Sequence, residues 1–136
     1  MSNSKIYNVI GIMSGTSMDG VDISLIRTDG RKNIKIIYEK SYEYSDVYRS
    51  KLKKLIKNLP NTKNQQFLYC KKNDEFITKS FIRYIEKFIN EIKPKMVDIH
   101  LIGLSGQTIT HNPDKGYSIQ LGSGKKIYQK LKIPIV

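Results

Sequence analysis

Residues 11–22 read GIMSGTSMDGVD, which places three glycines, a Ser-Gly-Thr-Ser run and two aspartates in one short segment. A mostly apolar run at 6–10 leads directly into this segment. Residues 21–28 follow it with Val, Ile and Leu at alternate positions, which is the period of a half-buried strand. The sequence therefore predicts a strand, a glycine-rich turn and a second strand.

A third strand is predicted over residues 34–44, which are rich in β-branched and aromatic side chains. The polar turn at Asp29-Gly30 separates it from the second strand. Short connections of this kind join antiparallel neighbours, so the first third of the chain is predicted to be an antiparallel meander.

Two segments with helical spacing come next. Residues 46–59 place apolar side chains on one helical face, and residues 74–92 do so more strongly. Either Asn73 or Asp74 is available as the N-cap of the second helix. Residues 61–66 are predicted to be a loop, which can lead into a turn of helix near Phe67–Cys70.

The last third returns to strand character. We predict a strand over 96–106 that enters a glycine turn, a short strand over 116–122, helical turns over 124–131 and the opening of a further strand at 132–136. The resulting order, β-β-β-α-α-β-β-α-β, is that of an α/β layer arrangement. Because an apolar strand must be paired and covered, we expect the last one to continue in a longer protein.

Composition excludes several classes of protein. The formal net charge of the 136 residues is +12, but the basic residues are spread along the chain and include only four arginines. Arginine is the preferred fork for phosphates and bases, so we predict a lysine-rich solvated surface and no nucleic-acid partner. Neither a membrane span nor a signal peptide is evident, which favours a cytoplasmic protein with no membrane partner. Cys70 is the only cysteine, so no internal disulfide is possible.

The segment Gly15–Gly20 matches only half of a P-loop. Val21 and Asp22 stand where a P-loop needs Lys followed by Ser or Thr, and the turn leads into a strand rather than a helix. The run GTSM also resembles the nucleophile segment of subtilisin-like proteases, but both histidines follow Ser17 here, which is the wrong order. Both interpretations are rejected.

A strand–turn–strand phosphate clamp fits the segment better. Glycines allow backbone N–H groups to approach phosphate oxygens, and Thr16 and Ser17 add hydroxyl donors. Asp19 would hold Mg²⁺, usually through water, and Asp22 would face the same pocket. The alternative is a structural turn, but a plain hairpin needs only about two to five turn residues, so we favour a functional loop.

A second candidate site is the segment 103–113, GLSGQTITHNP, at the carboxyl end of a predicted parallel strand, where open α/β sheets bind ligands. Gly106 permits close approach. Gln107, Thr108 and His111 are neutral groups of the kind that bind sugar hydroxyls or an amide. An ordinary strand-to-loop turn explains the same residues equally well.

Three stretches together resemble one family, anhydro-N-acetylmuramic acid kinase. IGIMSGTSMDGVD is similar to its N-terminal signature, and IGLSGQTITHNP to its Gly-Gln-Thr…His-x-Pro segment. SIQLGSGKKIYQKLKIPIV is similar to its Gln-x-Gly turn, the following helix and the next strand. The resemblance covers essentially the whole chain but only the N-terminal part of the family pattern.

The resemblance implies a ribonuclease H-like N-terminal lobe of the sugar kinase/Hsp70/actin superfamily, an incomplete mixed sheet with flanking helices over 1–136, with the C-terminal lobe absent. It implies ATP-dependent phosphorylation of 1,6-anhydro-N-acetylmuramic acid with hydrolytic opening of the ring, giving N-acetylmuramic acid 6-phosphate in murein recycling. It implies that the Gln107 region lies near the sugar, so Gly106, Gln107, Thr108 and His111 are the candidate sugar-binding residues. Asp19 is the candidate Mg²⁺ ligand because of its charge beside phosphate, not because of the resemblance. The resemblance assigns the ATP phosphates to Gly15, Thr16, Ser17, Met18, Asp19, Gly20, Val21 and Asp22.

The chain departs from the family pattern in three places. Ser105 stands where the family usually has His, and Ser123 where it often has Asp or Asn. The family's catalytic aspartate follows the strand that IPIV begins, so we expect a truncated chain that is inactive alone. The alternatives are a non-catalytic nucleotide- or sugar-binding remnant, or one half of a split kinase that assembles with a separate C-terminal lobe. A homodimer is a further partner expectation.

Overall fold

The computed structural model describes residues 5–136 as a mixed α/β fold with one sheet in the order β3-β2-β1-β4-β5. The strands are β1 (Tyr7–Ser14), β2 (Gly20–Thr28), β3 (Ile34–Glu43), β4 (Leu101–Asn112) and β5 (Tyr117–Leu121). The helices are α1 (Asp46–Lys57), α2 (Lys63–Ile92) and α3 (Gly124–Leu131). The predicted α/β class and the order of elements as far as α3 are confirmed.

The antiparallel meander is confirmed for β1, β2 and β3. The register sets Ile10 opposite Leu25 and Ile12 opposite Ile23, so their apolar side chains share one face of the sheet. These four side chains are at most 3% exposed. The alternation seen in the sequence therefore reports the buried face correctly.

Strand β4 pairs in parallel with β1, with Ile10 opposite Ile102. The parallel pairing ends where Ser14, the last residue of β1, lies opposite Gln107 in the middle of β4. The prediction that a strand ends at the Gly106 turn is wrong. Strand β4 continues to Asn112 and pairs antiparallel with β5. Gly106 adopts a φ of +74° at the irregularity in the β1–β4 pairing, between the pairs Ile12–Leu104 and Ser14–Gln107.

Helix α2 is a single helix of 30 residues, so the predicted loop at 61–66 and the cap at 73–74 are wrong. Thr62 is the N-cap, and its side chain accepts a hydrogen bond from the amide of Gln65. The first turns face solvent, with Leu68 64% exposed, so they carry little apolar periodicity. Their Gln, Leu and Lys residues nevertheless have good helix propensity.

Helix α2 packs on the buried face of the sheet through Ile77, Phe81, Ile85 and Phe88, each at most 2% exposed. At about 1.5–3 kcal/mol for each fully buried large apolar side chain, this contact is a main source of stability. The opposite face is open at Met13, which is 55% exposed.

The strand predicted at 132–136 is present as a single parallel bridge between Ile102 and Ile135. The amide of Ile102 donates to the carbonyl of Pro134, and the amide of Val136 donates to the carbonyl of Ile102, both at 2.9 Å. Among residues 5–136, no helix has the length and apolar character needed to cross a membrane.

Candidate functional site

The glycine-rich turn occupies residues 15–19, between the end of β1 and the start of β2. It is closed by a hydrogen bond of 3.3 Å from the amide of Met18 to the carbonyl of Gly15, and Met18 adopts a φ of +58°. Gly20 follows the turn. A Cβ at Gly20 would lie 2.2 Å from the carbonyl oxygen of Tyr42, so this close approach of β3 requires glycine.

The turn presents polar groups to solvent. Gly15, Thr16, Ser17 and Asp19 are exposed. Within the described residues, no hydrogen bond uses the amides of Thr16 and Ser17. Two free amides beside two hydroxyls can receive the oxygens of an anion, and this arrangement fits the phosphate groups of a nucleotide.

Three carboxylates border the turn. Asp19, Asp22 and Glu43 line one cleft of about 390 Å³ together with Gly15 and Ser17. Over residues 5–136, no group of three His, Cys, Asp or Glu side chains converges in a way that would hold a metal ion. A magnesium ion at Asp19 would therefore take most of its ligands from water and phosphate oxygens, which is how Mg²⁺ is commonly held.

A buried polar network lies directly beneath the turn. The hydroxyl oxygens of Ser14 and Tyr44 are 2.7 Å apart, and the Ser14 hydroxyl donates to Oε1 of Gln107 at 2.5 Å. Nε2 of Gln107 donates to the carbonyl of Gly15 at 3.3 Å. The side chains of Ser14, Gln107 and Tyr44 are at most 4% exposed. This network joins the two segments that the sequence analysis treats as two candidate sites.

The second segment is only partly close to the turn. Gly106 and Gln107 are buried beside it, and Thr108 is half-buried, accepting from Gln120 at 3.3 Å. His111 is exposed, with Nδ1 2.6 Å from the Ser118 hydroxyl. It lies four residues beyond Gln107, which is about 13 Å along a strand. The structure thus brings Gln107 to the glycine-rich turn and leaves His111 away from it.

The position of Gln107 supports a role other than the predicted sugar contact. Its side chain is 0% exposed, and both ends of its amide bind groups of the chain itself. A direct contact with a ligand would require this side chain to leave Ser14 and Gly15. The predicted sugar contacts of Gly106, Gln107, Thr108 and His111 stay predictions.

Side chains of α2 hold the turn between β5 and α3 by hydrogen bonds. No sequence pattern predicts this contact. Asp74 accepts from the amide of Gly122 at 2.7 Å and from the Thr78 hydroxyl at 2.8 Å. Thr78 in turn accepts from the amide of Ser123 at 2.8 Å. A larger groove of about 710 Å³ runs between α2 and β5 and borders this turn, but residues 15–22 do not line it.

Two residues of the network, Ser14 and Tyr44, were missed from the sequence. A signal for both existed. Ser14 continues the inward alternation of Ile10 and Ile12, and Tyr44 continues that of Tyr42. A polar group at an inward-facing strand position must find a hydrogen-bond partner, and such positions therefore point to a buried network.

Comparison with known proteins gives a consistent result. The family model described as anhydro-N-acetylmuramic acid kinase matches residues 7–136. A protein of that name from Pelagibacter ubique is 38% identical over 133 residues, covering 97% of this chain and 35% of the relative. Its namesake from Zymomonas mobilis is 34% identical over 131 residues, covering 93% of this chain and 36% of the relative. The chain thus spans about a third of the length of the curated relatives it matches.

Proposed function

Because the chain belongs to the anhydro-N-acetylmuramic acid kinase family, we propose that residues 15–22 form the ATP phosphate loop of a sugar kinase. The observation that carries this proposal is the exposed turn at the carboxyl edge of the parallel pairing between β1 and β4, with the free amides of Thr16 and Ser17. Such an edge is where open α/β sheets bind ligands.

The proposed reaction transfers a phosphoryl group from ATP to 1,6-anhydro-N-acetylmuramic acid, with opening of the anhydro ring by water. The product is N-acetylmuramic acid 6-phosphate, and the role is murein recycling in the cytoplasm. Since the chain covers 35% of the first relative, we propose this reaction for the whole protein rather than for these 136 residues alone. We propose a ribonuclease H-like lobe of the sugar kinase/Hsp70/actin superfamily as the fold that carries it.

The residues have distinct proposed roles. Gly15, Thr16 and Ser17 would bind phosphate oxygens, since amides and hydroxyls are neutral donors that do not repel an anion. Asp19 would act on the side of the metal, because a carboxylate facing phosphate directly would be repelled without Mg²⁺ between them. The ion would supply charge neutralisation of the phosphates when bound. Thr108 and His111 are the proposed sugar-side residues.

A titration of the chain with Mg-ATP, followed residue by residue by amide NMR shifts, tests the phosphate loop. We expect shifts concentrated at residues 15–22, and NMR detects even the weak binding expected of half a cleft. Asp19→Asn should weaken binding of Mg-ATP about tenfold or more, since it removes a charged metal-side group. It should not weaken binding of metal-free ATP and should slightly strengthen it, because the repulsion between the carboxylate and the phosphates is removed.

Asp114→Asn is the matched control, because Asp114 is an exposed acid in the turn after β4, away from the glycine-rich turn. It should bind Mg-ATP like the unaltered chain. Shifts that cluster elsewhere, or that change equally in both variants, would show that residues 15–22 are not the phosphate loop.

A kinase assay separates catalysis from the alternative of binding without catalysis. The chain is incubated with Mg-ATP and 1,6-anhydro-N-acetylmuramic acid, and the sugar phosphate is measured. Turnover that is lost in Asp19→Asn would exclude the non-catalytic alternative. Binding at residues 15–22 without turnover would support either that alternative or the need for a separate C-terminal lobe.

A further inference from the structure

Tyr44 touches both ends of the glycine-rich turn. Its main-chain amide donates to the carbonyl of Asp19, the last residue of the turn, at 2.8 Å. Its phenol oxygen lies 2.7 Å from the hydroxyl of Ser14, the residue before the turn begins. We propose that Tyr44 is a positioning residue that fixes the shape of the 15–19 turn. Only the identity of the ligand that binds this turn rests on the proposed function above.

The direction of each hydrogen bond in the network follows from the groups around Gln107. One end of its amide lies 3.3 Å from the carbonyl oxygens of both Gly15 and Thr108. Two acceptors require the NH₂ group at that end, so Oε1 faces Ser14. Ser14 has one hydroxyl proton and two acceptors in reach, the Gly20 carbonyl at 3.3 Å and Oε1 of Gln107 at 2.5 Å. Two oxygens only 2.5 Å apart require a proton between them, so Ser14 donates to Oε1. It must therefore accept a proton from Tyr44.

The donating form of Tyr44 is maintained by its surroundings. The ring is 4% exposed and packs at centroid distances of 4.6 Å from Tyr48 and 5.8 Å from Tyr84. Burial raises the pKa of Tyr44 above the ordinary tyrosine value, although the hydrogen bond with Ser14 opposes this effect. The phenol is therefore protonated at neutral pH, and the packed rings restrict it to one orientation.

The bonds form one continuous connection. It runs from the Tyr44 phenol through Ser14 and Gln107 to the carbonyl of Gly15, while the Tyr44 amide holds Asp19. Both ends of the turn are thereby tied to a residue that belongs to neither predicted site segment. A tyrosine needed only for packing would not require its hydroxyl, whereas this connection does.

The test is Tyr44→Phe, which keeps the ring and removes the donor, compared with Tyr48→Phe in the neighbouring ring of the same cluster. Amide hydrogen exchange of the full chain is measured without ligand. We expect exchange in Tyr44→Phe to be about tenfold faster at two amides, that of Met18, bonded to the Gly15 carbonyl, and that of residue 44, bonded to the Asp19 carbonyl. One buried hydrogen bond that holds the turn is lost in this variant. Exchange in α2 over 77–88 should be unchanged, and Tyr48→Phe should leave both regions unchanged.

Two further variants break the same hydrogen-bonded connection at other residues, so the test does not depend on Tyr44→Phe alone. Gln107→Glu places an oxygen against the Gly15 carbonyl and should release the same residues, and so should Ser14→Ala. A thermal melt establishes that each variant folds. Unchanged exchange at the amides of Met18 and residue 44 in folded Tyr44→Phe would overturn the proposal, as would a uniform rise across the whole chain.

A ligand arm separates this proposal from the proposed function. If the unaltered chain binds Mg-ATP, Tyr44→Phe should weaken that binding about tenfold while Tyr48→Phe does not. If Mg-ATP does not bind at all, the phosphate-loop proposal fails, but local release of residues 15–20 in Tyr44→Phe still supports the positioning role. Binding of Mg-ATP that is unaffected by Tyr44→Phe would overturn the positioning role for this ligand.

Discussion

Single atoms decide the path of the backbone around the glycine-rich turn. The carbonyl oxygen of Tyr42 would lie 2.2 Å from a Cβ at Gly20, which is far inside contact distance. By contrast, nothing lies within 4 Å of the corresponding position at Gly11. Of these two glycines of one motif, Gly20 is required by the close approach of the Tyr42 carbonyl, whereas Gly11 is not required by any neighbouring atom.

Gly20→Ala is accordingly expected to lower the free energy of unfolding by about 1–3 kcal/mol, because β2 and β3 must separate locally. Urea denaturation provides the measurement. Gly11→Ala is the matched control and should leave stability unchanged or raise it by up to about 1 kcal/mol, since alanine reduces the freedom of the unfolded chain. Equal stability of the two variants would contradict the steric argument.

Asp29 fixes the other turn of the meander. Its Oδ1 accepts from the amides of Arg31, Lys32 and Asn33 at 2.9–3.0 Å. These bonds lower the pKa of Asp29 from 3.8 to about 2, and the bond from the Arg31 amide has the largest effect.

A carboxyl whose pKa is lowered on folding contributes stability above pH 3.8, and that contribution is lost as the pH falls through about 2. An NMR titration of the Asp29 carboxyl carbon should give a midpoint near pH 2. In Asp29→Asn, this part of the acid-induced loss of stability should disappear. A midpoint at the ordinary value of 3.8 would show that the three bonds do not persist in solution.

At the scale of elements, α2 does more than cover the sheet. Its side chain Asp74 holds the amide of Gly122 at 2.7 Å, and Thr78 holds the amide of Ser123 at 2.8 Å. These amides lie at the start of α3, where the main chain has no helical partner for its first N–H groups. Helix α2 therefore fixes where α3 begins relative to β5.

Asp74→Ala should lower the free energy of unfolding by about 1–3 kcal/mol, because the buried side of the Gly122 turn loses its acceptor. The neighbouring Glu75→Ala is the matched control. Glu75 forms an exposed ion pair with Lys79 at 2.7 Å, with side chains 64% and 72% exposed, and such pairs contribute little. We expect a change below about 0.5 kcal/mol for Glu75→Ala. Similar losses of stability in the two variants would show that the bond from Gly122 to Asp74 contributes no more than an exposed ion pair.

At the scale of the whole molecule, Cys70 provides an internal probe of cooperativity. It is the single cysteine of the sequence and is 1% exposed on the inner side of α2. Burial raises the pKa of its thiol, which further lowers its reactivity. Reaction with a thiol reagent therefore requires α2 to leave the sheet.

We expect Cys70 to react at least about a hundredfold more slowly in the native chain than in urea, with a rate that follows global unfolding. Phe81→Ala, which removes a core contact of α2, should accelerate labelling. An exposed thiol, made as Glu75→Cys in a Cys70→Ser background, is the control and should react rapidly in both conditions. Rapid labelling of native Cys70 would show that α2 opens without global unfolding.

The sequence by itself determined the order of most elements, the meander and the glycine-rich turn, because alternation and turn residues are local properties. It also identified the family, since IGIMSGTSMDGVD is a long and specific motif. Helix α2 was divided wrongly because its first turns face solvent and lack apolar periodicity.

Only the tertiary structure decided which polar side chains meet. Ser14 and Gln107 are 93 residues apart, yet the parallel register of β1 and β4 sets them opposite each other. Tyr44 reaches the same point from the end of β3. No local pattern encodes such a meeting, because it depends on strand register and on the irregularity at Gly106. For the same reason, the inward orientation of the Gln107 side chain is decided by tertiary structure, and its predicted contact with sugar stays a prediction.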